Sequence, residues 1–188
     1  LMDMFSGGPP QDEAKRKLLS DLWSTLFMVV PVLSTTFASV ERMLGDLPDS
    51  SIGWLMIDEA GQALPQAAVG AILRAKRSIV VGDPLQIPPV VTLPERLNAE
   101  ICRYFKIEEP IWAAPEASAQ TLADQASEFQ AAFCSDKGPR RVGIPLLVHR
   151  RCQEPMFGIS NRIAYDGQMV HAAGRPEGAE IEPVLGPS

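Results

Sequence analysis

The stretch from Trp54 to Val91 constrains the fold more than any other part of the chain. It holds two short apolar runs, Trp54-Leu55-Met56-Ile57 and Ser78-Ile79-Val80-Val81, separated by one helix-length segment. Each run ends in polar residues that chemistry can use. The first ends in Asp58-Glu59, the second in Gly82-Asp83-Pro84-Leu85-Gln86. Strand, helix, strand, with reactive groups at the carboxyl ends of both strands, is the geometry of an α/β nucleotide site.

Composition sets limits on partners and compartment. The 188 residues are 46% hydrophobic and 21% charged, enough for one globular domain with a real core, or one and part of another. A formal net charge of -6 gives no global basic field to draw the chain onto nucleic acid. Local patches are confined to Lys137 to Arg141 and to Arg150-Arg151, and a solvated surface is the plainer reading of both. The three cysteines, Cys102, Cys134 and Cys152, are odd in number and widely spaced. That pattern argues for a reducing, cytoplasmic compartment and against a disulfide frame or zinc site. His149 and His171 are too isolated along the chain to suggest a metal. No apolar run approaches the roughly 20 residues needed to span a bilayer, so no membrane partner is expected.

The chain in order reads as alternating helices and strands. SGGPP in the first ten residues is a loop composition, and a helix is expected from Pro10 or Gln11. Its apolar face is Leu18, Leu22 and Leu26 with Leu19, Trp23 and Phe27. A strand is expected at Val32 to Thr36, then a helix from Ala38 to Leu44 with Gly45 as its C′ residue. The central strands flank a helix at Pro65 to Ala75, and another helix follows from Pro94 to Phe105. A loop covers Glu108 to Ala117. Thr121 to Phe133 reads as a helix capped by Thr121 with Asp124 three residues on. Ser135 to Gly143 reads as a linker, Leu146 to His149 as a strand, and Glu154 to Ala164 as a helix. Asp166-Gly167 is a turn signal, and the chain beyond Ala172 is expected to fray.

The motifs resemble a known family. Asp58-Glu59-Ala60-Gly61-Gln62-Ala63 resembles motif II of superfamily 1 helicases, in the branch whose pattern is DEAxQ. An apolar run closing on Asp-Glu is also the look of a Walker B strand. Gly82-Asp83-Pro84-Leu85-Gln86-Ile87-Pro88-Pro89 resembles their motif III, GDxxQLPP, with Ile for Leu. More loosely, Leu147 to Cys152, Met156-Phe157 and Ala164 to Gly167 resemble motif IV, near LxxQYRMHPxIxxF ending in FYxG. There His149-Arg150-Arg151-Cys152 stands for QYRM, which sets Arg151 on the pattern's Arg. Val32 to Thr36 resembles the short strand ending in Thr that precedes motif II.

The resemblance implies a fold and a chemistry. The fold is α/β: a partial three-layer RecA-like parallel sheet of P-loop NTPase type, followed by the start of a second RecA-like domain. Residues 1–110 would be the later part of the first domain, 111–143 a helix and linker, and 144–188 the opening of the second. The implied activity is ATP-dependent unwinding of DNA or RNA, with ATP and Mg²⁺ as cofactors. Asp58 would serve Mg²⁺ through water, because that hard cation keeps several of its waters. Glu59 would orient or deprotonate the attacking water. Gln62 and Gln86 offer amides that both donate and accept, and Asp83 belongs to the same nucleotide-contacting set. Arg151, from the second domain, would act as an arginine finger. Thr35 and Thr36 would donate hydroxyls to nucleic-acid phosphates.

The sequence departs from the family in one respect that bears on activity. No GxxxxGK[ST] occurs in it, and that loop supplies most of the backbone N–H groups and the Lys that hold the β- and γ-phosphates. The P-loop and the later helicase motifs are therefore expected elsewhere in a parent chain, and these residues alone are expected to be inactive. The alternative is a catalytically inactive helicase-like module that binds nucleic acid or a protein partner.

Overall fold

The computed structural model describes residues 13–83, 85–107, 112–134 and 139–174. The expected start of the first helix, the loop at 108–111, Pro84, most of the basic segment at 135–138 and the chain end lie outside those residues. The chain divides into two compact units, Leu1–Ala123 and Asp124–Ser188.

In the first unit, α1 (Glu13–Val29) and α2 (Phe37–Leu44) pack through part of the apolar stripe expected from periodicity; Leu18, assigned to that face, is 51% exposed. Leu19, Trp23, Leu44 and Leu47 are buried together, with Leu26, Phe27, Met43 and Ile52 against them. The rings of Trp23 and Phe27 lie 5.4 Å apart. Strand β1 (Leu55–Ile57), helix α3 (Pro65–Leu73) and strand β2 (Ser78–Val80) follow. The two strands pair in parallel, with Leu55 opposite Ser78 and Ile57 opposite Val80. Pro65 opens α3, where its missing N–H leaves nothing unsatisfied. The small residues Ala68 and Ala71 let that helix lie close. Ile57, Ala60, Ala68 and Ala119 form the second core cluster, with Phe37, Leu55 and Val80 packed on it. Helix α4 (Glu95–Tyr104) buries none of its residues.

The α/β reading holds at the level of mixed helices and small parallel sheets, but several element assignments change. Val32 to Thr36 is not a strand among the described residues; Val32 is 80% exposed, and no described strand offers the segment a ladder partner. Gly45 ends α2 in a right-handed conformation (φ -57°), so it is not the left-handed C′ residue expected. The expected helix to Phe133 stops early: α5 spans Ala119–Ala126. Its end is closed by the Gln130 side chain, whose Nε2 donates to the Asp124 carbonyl at 2.9 Å.

Strand β3 (Ala131–Phe133) then pairs antiparallel with β4 (Arg140–Val142), inside what reads in sequence as helix and linker. Phe133 and Val142 are buried while Ala132 and Arg141 are exposed, and this two-residue alternation overrides the helical propensity of Ala131-Ala132. The N-cap also moves. Ser118 Oγ accepts the Thr121 N–H at 3.1 Å and Thr121 Oγ1 accepts the Ser118 N–H at 2.8 Å, so Ser118 is the cap. Asp124 is buried instead, its carboxylate accepting the Gly143 N–H at 2.9 Å.

Strand β5 (Val148–His149) pairs in parallel with β6 (Val170–His171), and α6 (Met156–Ala164) connects them. The chain turns at Asp166 and Gly167, both at positive φ (55° and 68°), as the sequence signal requires. No described helix is long and apolar enough to cross a membrane.

Candidate nucleotide site

The site in the first unit is built by the parallel register of β1 and β2. Because Ile57 faces Val80, the residues that leave both strands emerge side by side. Val81 N–H donates to the Ile57 carbonyl at 2.8 Å, and Ala60 N–H returns to the Val81 carbonyl at 2.9 Å. The chain reverses between those bonds through Glu59, which sits in the left-handed region at φ 53°. Non-glycine residues reach that region at a cost, and such positions concentrate at functional sites. Ala60 to Gln62 then form one turn of 3₁₀ helix, with Ala60 and Gly61 buried.

Gly82 locks this turn to the second strand. A Cβ at Gly82 would lie 2.6 Å from both the Ala60 and Gly61 nitrogens. Only a residue without a side chain allows so close a backbone approach. The sequence signal was the Gly that opens the second motif, although it gave no role for it.

Within the turn the polar side chains arrange themselves in two pairs. Asp58 Oδ1 accepts the Glu59 N–H at 3.0 Å, and Gln62 Nε2 donates to Glu59 Oε2 at 3.2 Å. After β2, Asp83 Oδ1 accepts the Leu85 N–H at 2.9 Å and Gln86 Nε2 donates to Asp83 Oδ2 at 3.4 Å. Asp58, Glu59, Gln62 and Gln86 are exposed at this strand end, with Asp83 half-buried.

The donor set is carboxylate and amide oxygen, which suits a hard cation such as Mg²⁺. No group of three or more His, Cys, Asp or Glu side chains among the described residues converges as a metal cage. One carboxylate that reaches a hydrated ion through water needs no such cage, so Asp58 fits that mode of binding.

Thr35 and Thr36 precede α2 at the same core. Thr36 is the N-cap residue, and its side chain makes no cap bond. Thr35 Oγ1 donates to Met43 Sδ at 3.3 Å. Both residues are exposed, while the next residue, Phe37, packs on the cluster that holds Ile57 and Ala60. A separate cleft of about 170 Å³, lined by Leu64, Val91, Asn98, Ile101, Cys102 and Trp112 among others, contains none of the motif carboxylates.

Arg151 belongs to the second unit. Strand β5 stops at His149, so the alternation that would send Arg150 and Arg151 to opposite sides does not reach them. Both are exposed, and neither has a hydrogen bond or ion pair among the described residues.

A strand-end Asp-Glu beside a Gly-Asp turn lies at the carboxyl ends of parallel strands, where α/β proteins bind their ligands. Comparison with known sequences sharpens this. Residues 15–93 match a family model described as an AAA domain. Over 138 residues, 73% of the chain, the sequence is 25% identical to the DNA replication ATP-dependent helicase/nuclease DNA2 of Saccharomyces cerevisiae. The chain spans 7% of that relative's length. These matches and the motif order make the chain similar to a fragment of a superfamily 1 helicase of the DEAxQ branch.

Proposed function

We propose that the chain is part of an ATP-dependent helicase or translocase that couples ATP hydrolysis to strand separation of DNA or RNA. The observation that carries this reading is the Gly82 contact, which seats motif III against the motif II turn and presents Asp58, Glu59, Gln62, Asp83 and Gln86 at one strand end. In this reading residues 1–110 are the later part of a RecA-like three-layer domain, 111–143 connect, and 144–188 open a second such domain. The P-loop and the later motifs come from elsewhere in the parent chain, which works in the cytoplasm.

Each residue has a task. Asp58 anchors hydrated Mg²⁺, which when bound neutralises phosphate charge. Glu59, steadied by the Gln62 amide, orients and deprotonates the attacking water. Gln86 responds to the γ-phosphate by exchanging its Asp83 contact for a phosphate oxygen. Thr35 and Thr36 donate to nucleic-acid phosphates, and Arg151 stabilises the charge on the phosphoryl group in flight.

The test is Glu59→Gln in a longer protein that contains the P-loop. Turnover should fall by roughly two to four orders of magnitude, the worth of a positioned base, while ATP binding survives. Unchanged turnover would make Glu59 structural. The absence of GxxxxGK[ST] from this sequence favours one other reading, an inactive helicase-like module. In that case no parent context would show ATPase activity.

A further inference from the structure

Two histidines outside the proposed chemistry grip the turn that carries Arg150 and Arg151. Strands β5 and β6 set His149 beside His171 in register. Phe157, buried on α6, packs on both rings, at 5.4 Å from His149 and 4.7 Å from His171. From this layer His149 Nε2 meets the Cys152 N–H at 2.8 Å, and His171 Nε2 meets the Cys152 carbonyl at 3.0 Å. One residue's N–H and C=O are thus held by two different imidazoles.

The supporting elements are themselves fixed. Asn161 on α6 holds the Met169 peptide at both ends, its Nδ2 donating to the Met169 carbonyl and its Oδ1 accepting the Met169 N–H, each at 3.0 Å. Ala172 N–H donates to the His149 carbonyl at 2.8 Å, which closes the ladder on the far side of His171. The other end of the turn is tied by Phe157 N–H to the Gln153 carbonyl at 3.0 Å. The Gln153 side chain also donates to the Gly174 carbonyl.

We infer that His149 and His171 are positioning residues that fix the two peptides flanking Cys152 and so aim the Arg151 guanidinium. This inference rests on the proposed role of Arg151. The physical reason is that the Cys152 N–H belongs to the peptide plane shared with Arg151. His149 holds that plane through the N–H, and His171 holds the next plane, Cys152–Gln153, through the Cys152 carbonyl, so the backbone on both sides of Cys152 is fixed while the exposed arginine side chain stays available. Pre-ordering a cationic group in this way lowers the conformational cost of bringing it to a phosphoryl group.

The hydrogen bonds require particular tautomers. An imidazole nitrogen that receives an N–H must carry a lone pair, so His149 carries its proton on Nδ1. A nitrogen that faces a carbonyl must donate, so His171 carries its proton on Nε2. Neither assignment depends on ATP or on a parent protein.

The first experiment is imidazole nitrogen NMR on the 188-residue chain at neutral pH. His149 with the proton on Nδ1 and His171 with the proton on Nε2 is the expected result; His149 protonated on Nε2 overturns the inference. Amide exchange at Cys152 is the second measurement. His149→Ala should speed it about tenfold, the worth of one hydrogen bond, and His149→Gln, whose amide oxygen can accept, should restore protection. Unchanged exchange in His149→Ala overturns the inference as well. In a longer ATPase-competent protein, His149→Ala should lower kcat while leaving KM for ATP nearly constant, with rescue by His149→Gln. Full kcat in His149→Ala, where Arg151→Ala is inactive, refutes the positioning role. A fully active Arg151→Ala refutes the arginine-finger reading itself and leaves the tautomer result intact, so the two failures are distinguishable.

Discussion

Gly82 shows how one residue's lack of a side chain can set a site. The chain brings β2's exit within backbone distance of Ala60 and Gly61, and a Cβ there would stand 2.6 Å from each nitrogen. Neither neighbour is the far end of a flexible side chain, so the backbone itself has to move. Gly82→Ala should therefore destabilise the chain by about 1–3 kcal/mol, the usual cost of overpacking, read as a lower midpoint in thermal or denaturant unfolding. It should also impair Glu59-dependent turnover in a longer protein, because the turn that presents Glu59 shifts with it. A midpoint equal to that of the unsubstituted chain would show that the turn opens freely. At this scale much was legible in sequence: Asp58, Glu59, Gln62, Asp83 and Gln86 all occupy the ends of one parallel strand pair. The left-handed Glu59 and the imidazole grip on Cys152 were not legible. They depend on backbone paths and strand register that no local pattern encodes.

Elements were legible where apolar spacing was long and regular, and illegible where pairing between distant residues decided the outcome. The stripe of α1 follows from helical periodicity, and β1 and β2 follow from short apolar runs that close on polar residues. The segment from Ser118 to Val142 does not, because Ala131 to Phe133 gains strand structure only from Arg140 to Val142. The corrected cap gives a direct check. Ser118 and Thr121 exchange hydrogen bonds at the start of α5, so Ser118→Ala should cost about 1 kcal/mol by denaturant titration, and Thr121→Ala should cost a comparable amount. Were Thr121 the cap, only its own substitution would matter. The motif IV turn makes a second prediction at this scale. With β5 ending at His149, strand alternation has no say, and the choice of Arg151 over Arg150 rests on counting back along the sequence from Asp166-Gly167 to the motif IV pattern. Arg151→Ala in a longer protein should cut ATP turnover strongly with little change in ATP affinity, as expected for a group that acts chiefly in the transition state. Arg150→Ala should mostly spare hydrolysis. Steady-state ATPase rates for the pair decide it, and the reverse pattern would put the register off by one.

For the whole molecule, the balance of charge at the candidate nucleotide site is the deciding quantity. Asp58, Glu59 and Asp83 all follow the carboxyl ends of β1 and β2 without converging on one point. The sequence supplies no GxxxxGK[ST] loop to set against them, hence no run of backbone N–H groups and no Lys for the β- and γ-phosphates. The chain as a whole carries a net charge of -6, so its long-range field also repels a polyanion. A bridging Mg²⁺ can offset part of that repulsion, but a single water-mediated carboxylate holds the ion weakly. The 188-residue chain should therefore bind Mg-ATP with a Kd no tighter than about 1 mM, equivalent to about 4 kcal/mol, and should hydrolyse it negligibly. Isothermal calorimetry with Mg-ATP, run beside a longer protein that includes a P-loop, makes the comparison. Micromolar affinity in this chain alone would mean that a phosphate cradle lies within these residues, and the assignment of Asp58 and Gln86 to an incomplete site would then fall.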